Sequence, residues 1–191
     1  MFEHFKSVLK NFSGYDDEQM ELICSLAENK IFKKNDYLLT PGKICRHMYF
    51  VNSGCLRFFG VNEEGVENTR YLGFRSKFAS NLTSFIQFIP SEEYIQSVVE
   101  TEVIVIGRTD FYRVEKNTLL GKSIYKNILE RAYITTQKRI YSFQGEMAEE
   151  RLTGLILKEP EILSSIPHKI IASYLGITPY TFSRLVKNKF S

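Results

Sequence analysis

Four consecutive residues near the C-terminus, Gly176-Ile177-Thr178-Pro179, restrict the fold more tightly than any other stretch. Before them, Ile170, Ile171, Tyr174 and Leu175 recur at spacings of three and four, which predicts a short helix from Ile166 onward. Gly176 stands where that helix should stop, since only glycine takes a left-handed backbone without steric cost. Thr178 is a good N-cap for a second helix and Pro179 suits its first position, where a missing N–H is harmless. Phe182, Leu185 and Val186 give the second helix a buried face, which leaves Tyr180, Thr181, Ser183, Arg184 and Lys187 pointing outward. One helix must end and the next begin within three residues. A helix-turn-helix does this, and so does an ordinary αα-corner.

Charge separates the two. The segment Ile162–Ser191 contains no Asp or Glu but carries Lys169, Arg184, Lys187 and Lys189. The whole chain is only +3, so everything before this segment is slightly acidic. Concentrating cations on one terminal segment is what contact with DNA phosphates requires. The residues predicted to face DNA are Lys169, Thr178, Tyr180, Thr181, Ser183, Arg184 and Lys187.

Upstream, residues 2–12 and 16–30 read as helices around Ser13-Gly14-Tyr15, with Asp16, Asp17 and Glu18 at a dipole-favoured N-terminus. From Ile31 the period changes to short extended runs punctuated by turns. These are Ile31–Lys34, Tyr37–Leu39, Met48–Val51, Cys55–Val61, Val66–Phe74, Tyr94–Val99 and Val103–Ile106. A short helix is expected within Phe78–Phe88, because Leu82, Phe85, Ile86 and Ile89 follow helical spacing. So many closely spaced strands predict an antiparallel jelly-roll. A long helix follows, in which Leu129, Tyr133, Thr136, Ile140, Phe143 and Met147 are spaced 4, 3, 4, 3, 4. Packing on the chain's own β domain would produce a similar stripe. A run of this length outreaches a small barrel, which favours a dimer seam. Gln144-Gly145 marks a break, and Ala148–Leu157 opens a C-terminal helical unit ended by Lys158-Glu159-Pro160. The expected fold is α+β, with a β-roll and N-terminal helices over 1–118, a long helix over 119–146, and a winged helix-turn-helix over 147–191. Only four residues follow the second helix, so any wing is expected as a hairpin around Ser164-Ser165-Ile166-Pro167.

Composition narrows the function classes. A hydrophobic content of 43%, with 15 Phe and 11 Tyr, is enough for a packed core. No apolar run approaches the length of a membrane span, and the N-terminus lacks a signal-peptide core, so a cytoplasmic protein is expected. Cys24, Cys45 and Cys55 lack metal or disulfide spacing, and His4, His47 and His168 are isolated. Neither a metal, a cofactor nor an enzymatic constellation is predicted.

The segment I-A-S-Y-L-G-I-T-P-Y-T-F-S-R-L, together with Y-F-V-N-S-G-C-L-R (Tyr49–Arg57) and A-E-E-R-L (Ala148–Leu152), resembles the cyclic-AMP receptor / fumarate–nitrate regulator superfamily. The resemblance implies a bacterial-type transcription regulator that binds a two-fold operator in double-stranded DNA as a homodimer, with RNA polymerase a further candidate partner. It places Arg184 where the recognition helix reads a base, usually guanine, with Thr178, Thr181 and Lys187 on phosphates. Cyclic-nucleotide binders of the superfamily carry a Gly-Glu pair and, ten residues after the Glu, an Arg that holds the cyclic phosphate. Here Ser80-Asn81 and Ser91-Glu92-Glu93 stand in those places. Two carboxylates beside a buried phosphate are costly, so cyclic AMP is not the expected effector. The iron–sulfur members use a cysteine cluster near the N-terminus, and only Cys24 lies in the first forty residues. An unknown small-molecule effector would be met by Tyr71, Asn81 and Ser84. The alternative is a small-molecule-binding or scaffold protein with a vestigial DNA-binding domain.

Overall fold

The computed structural model describes residues 2–190 and contains two four-stranded antiparallel sheets followed by helices to the end of the described chain. Helices α1 (Glu3–Leu9) and α2 (Asp17–Ser25) lead into β1 (Ala27–Phe32) and β2 (Tyr37–Leu39). Next come β3 (His47–Ser53), β4 (Cys55–Val61), β5 (Glu67–Phe74), β6 (Phe78–Ala79), α3 (Leu82–Gln87), β7 (Tyr94–Ser97) and β8 (Thr101–Gly107). One sheet runs β1-β8-β3-β6 and the other β2-β7-β4-β5, as a jelly-roll requires. Gly54 makes the β3–β4 turn possible. Its φ is +84°, and a Cβ there would come within 2.5 Å of the Glu100 carbonyl.

The predicted helix over 16–30 is too long. Ala27–Lys30 is strand, with Ala27 opposite Ile106 and Lys30 opposite Val103. The buried strand β8 would otherwise present an unpaired edge, and closing that edge outweighs local helix propensity. Phe50, Phe58, Leu56, Ile95, Val103 and Ile104 from the two sheets belong to one core cluster, all essentially without exposure. Phe5 and Leu9 from α1 complete one end, with the Phe5 ring 4.9 Å from that of Phe50.

After β8, α4 (Arg108–Asn117) and α5 (Leu119–Gly145) run without strand. Thr118 caps α5 by accepting a hydrogen bond from the Gly121 N–H. Leu120, Gly121, Ile124 and Ile128 of its first half are buried against the sheets. The expected seam lies further along, where Leu129, Tyr133, Ile140 and Phe143 are exposed, as is Met147 just beyond the helix.

The remaining helices are α6 (Ala148–Lys158), α7 (Ile162–Ser165), α8 (His168–Leu175) and α9 (Pro179–Phe190). The hairpin expected around Ser164–Pro167 is not formed, and among the described residues no strand follows β8. Ser164 and Ser165 both donate their hydroxyls to the Glu161 carbonyl and close a single helical turn instead. The winged form is therefore corrected to helices alone.

Candidate nucleic-acid interface and sensor cavity

The turn between α8 and α9 is built as its residues dictate. Gly176 sits at φ +69°, and the Ile177 N–H donates back to the Ala172 carbonyl at 3.1 Å, satisfying an end group of α8. The Thr181 N–H donates to the Thr178 hydroxyl at 3.1 Å, and Pro179 is the first residue of α9. Phe182 is fully buried and its ring meets His168 edge-on at 5.1 Å. Gly176 has a second role that local reading missed. A Cβ there would lie 2.5 Å from the Phe143 ring, so the turn closes directly onto α5.

The outer side of α9 presents Tyr180, Ser183, Arg184 and Lys187 to solvent, with Thr181 half-buried. The Arg184 guanidinium lies 6.0 Å from the Tyr180 ring, at the i,i+4 spacing that makes helix neighbours. Lys169 is exposed on the first turn of α8. The Thr178 and Thr181 hydroxyls are bonded to each other at 3.0 Å, and the Ser183 hydroxyl donates to the Pro179 carbonyl. Lys189 reaches the Thr153 hydroxyl and ties α9 to α6. Of the long polar side chains, Arg184, Lys187 and Lys169 stand outside the described hydrogen bonds and ion pairs.

The helices from α6 onward share their core with one face of the β2-β7-β4-β5 sheet. Cys55, Leu72 and Val98 from that sheet side pack with Leu152, Leu155, Ile162, Ile171 and Phe182. Polar ties reinforce the joint: the Ser173 hydroxyl accepts from the Thr69 N–H at 2.9 Å and donates to the Glu67 carbonyl at 2.8 Å. Arg139 of α5 donates through Nη2 to the Thr69 carbonyl at 3.2 Å and to the Tyr174 carbonyl at 2.8 Å. Beneath them the buried Arg57 pairs with Glu67 at 2.7 Å and stacks on Phe59. Sequence spacing carries no sign of the ties made by Ser173 and Arg139, which join residues 35 to 106 apart.

The three effector residues named from sequence do not share one cavity. Asn81 caps α3 by accepting from the Ser84 N–H, and its amide donates to Glu93 at 2.8 Å. Ser84 is buried, accepting from the Cys45 N–H and donating to the Ile89 carbonyl. Tyr71 instead lines a cavity of about 360 Å³ between β5, the second half of α5 and α8. Burial pushes its phenol up to about 12. In the region in place of the phosphate site, Glu93 is already paired. Arg70 of β5 grips Glu93 through Nε at 2.5 Å and Nη2 at 2.7 Å. The cation missing from Ser91–Glu93 is thus supplied by another strand, already paired.

Among the described residues no group of three His, Cys, Asp or Glu side chains is placed to hold a metal, and no helix is long and apolar enough to cross a membrane.

Residues 29–117 match the cyclic nucleotide-binding domain family. A search of curated proteins finds no match. Among solved structures, a regulator assigned to the Crp/Fnr family from Eubacterium rectale is 20% identical over 91% of this chain and 83% of its own, with a TM-score of 0.71. FixK2 from Bradyrhizobium japonicum reaches the same score at 12% identity, covering 85% of this chain and 83% of its own. The catabolite activator protein of Thermus thermophilus is 20% identical over 95% of this chain and 85% of its own, with a TM-score of 0.59. At these identities the likeness is one of fold.

Proposed function

We propose that this chain, which carries a cyclic nucleotide-binding domain on the fold shared with Crp/Fnr regulators, is a dimeric, sequence-specific DNA-binding transcription regulator. The observation that carries this reading is the outer face of α9, where Arg184 and Lys187 are exposed and acid-free on a helix whose other side is locked into the core. Such a face fits the major groove, with the N-terminal part of the helix at the base edges. Arg184 reads a base, steadied by Tyr180, while Lys187 and Lys169 meet phosphates. The Thr178 and Thr181 hydroxyls shape the turn before they contact DNA. The exposed stripe Leu129, Tyr133, Ile140 and Phe143 pairs two copies, so that two α9 helices address half-sites about one helical turn apart.

The sensor does not take cyclic AMP. A cyclic phosphate would have to break the bidentate Arg70–Glu93 pair and then face the freed carboxylate. Titration calorimetry is expected to show no micromolar cyclic-AMP binding.

Gel shifts on the chain's own upstream DNA test the main reading. Arg184→Ala should relax preference at one base pair per half-site, a loss of about 1–3 kcal/mol of discrimination. Lys187→Ala should weaken binding to all sequences alike and lower the salt slope by about one. Unchanged sequence preference in Arg184→Ala would sink the assigned reading role.

A further inference from the structure

We infer that the cavity between β5, α5 and α8 binds a small aromatic carboxylate on Arg139. This rests on the reading of the chain as a regulator whose signal is not a cyclic nucleotide, and it names the class of that signal and a site for it.

Arg139 is a cation without a counter-anion: it is half-buried, and among the described residues no carboxylate lies within ion-pair distance of it. Its Nη2 is used on the Thr69 and Tyr174 carbonyls, while no described hydrogen bond engages Nε or Nη1. Burial holds its pKa below the usual arginine range; the Tyr174 phenol opposes this through a side-chain hydrogen bond, and the nearby cations Arg70 and Arg151 add to the lowering. A desolvated guanidinium among like charges is stabilised by an anion. Its remaining N–H donors suit the two oxygens of a carboxylate.

The walls specify the rest of the ligand. The Arg139 guanidinium lies 4.6 Å from the Phe143 ring and 4.3 Å from that of Tyr174, and Tyr71 lines the same space. Three aromatic side chains around one cation suit a flat ring bearing the charge rather than a fully hydrated inorganic ion. The Tyr71 phenol, held protonated, is available as a donor. A volume of about 360 Å³ lies at the small end of the range for ligand pockets. Arg70 lines this space and also pairs with Glu93, so the cavity adjoins the Asn81–Glu93 region and opens away from it toward Arg139.

The location gives binding a consequence. Arg139 joins Thr69 of the sensor sheet to Tyr174 of α8, and Thr136, Ile140 and Phe143 belong both to this cavity and to the proposed dimer seam. An anion on Arg139 therefore acts where sheet, seam and DNA-facing helices meet.

The test uses the full chain, with benzoate and 4-hydroxybenzoate as probes and benzamide, inorganic phosphate and cyclic AMP as controls. Calorimetry should give saturable binding of the two carboxylates, with a raised melting temperature. Benzamide and phosphate should bind weaker by about tenfold or more, the loss expected for a missing charge-assisted bond or missing ring contacts. Arg139→Gln should abolish binding. Because it also removes the bridge to Tyr174, Thr135→Phe serves as a second variant: it narrows the cavity from the exposed side and leaves both Arg139 bonds in place. It should lose the carboxylate and keep the melting temperature of the unliganded protein. Three results would each overturn the site: no carboxylate binding at millimolar concentration, benzamide or phosphate binding as well as benzoate, or undiminished binding in Thr135→Phe. Gel shifts without ligand separate the two claims. Operator binding without carboxylate binding removes only this site, whereas carboxylate binding without sequence preference removes the regulator reading and leaves the site standing.

Discussion

The two halves of α5 carry similar apolar spacing and meet different surroundings. In the first, Leu120, Ile124 and Ile128 are buried against the sheets. In the second, Tyr133 is 67% exposed, Ile140 44% and Tyr141 68%, and the polar face turns toward β5 and α8 through Arg139. Burial in the first half is settled within one chain. The second half leaves large apolar side chains in water, a contiguous patch of the kind that marks an interface. One helix is thus core at one end and, on the proposed reading, contact surface at the other.

The contrast can be broken by substitution. The largest effect is expected from Ile124→Ala, which should destabilise the fold by roughly 2–5 kcal/mol in chemical denaturation, since it opens a cavity in closed packing. Ile140→Glu should leave the unfolding midpoint of the isolated chain nearly unchanged and shift sedimentation equilibrium to monomer. If Ile140→Glu unfolded the chain as Ile124→Ala does, the second half would be core after all. Ser173→Ala tests whether the joint beside that second half is cohesive. It removes an acceptor from the Thr69 N–H and a donor to the Glu67 carbonyl, at an expected cost of about 1–3 kcal/mol, with faster proteolysis between sensor and C-terminal helices.

The smallest effect concerns Glu159, at the end of α6. Burial raises its carboxyl pKa, and Lys77 opposes this. A carboxyl raised in the fold is disfavoured when charged, so its contribution is fully favourable below the unfolded value of 4.5 and is lost as pH rises through the folded pKa. Glu159→Gln should therefore raise the melting temperature at pH 7 by roughly a degree or two, with the gain vanishing below about pH 4.5.

What could be read from the sequence was what neighbours decide. Short extended runs bounded by turn residues located β3, β4 and β8; the heptad located α5; Gly176 and Thr178 located the turn, because caps and left-handed residues act within a few positions. What escaped was decided at a distance. Ala27–Lys30 is strand because β8, over seventy residues later, needs a partner. Arg70 meets Glu93 and Ser173 meets Glu67 only after the sheets have assembled. Ser164 and Ser165 failed as a hairpin for a local reason, since their hydroxyls bond the Glu161 carbonyl and favour one helical turn. For the site, the exposed cations of α9 were legible from charge alone. The cavity was not, because Arg70, Arg139 and Tyr174 come from three separate elements.

The contact between Phe143 and Gly176 limits how this molecule can be re-engineered. Specificity in such proteins invites exchange of the DNA-facing helices as a cassette. Here a donor cassette with any larger residue at position 176 would collide with the Phe143 ring, itself held between Arg139 and Arg151. A graft must bring a glycine at that place: a smaller residue at 143 would relieve the collision and leave the left-handed strain at φ +69°, and it would alter the stripe proposed to pair two copies. On the proposed reading, altering what is read is thereby bound to altering how the pair is held.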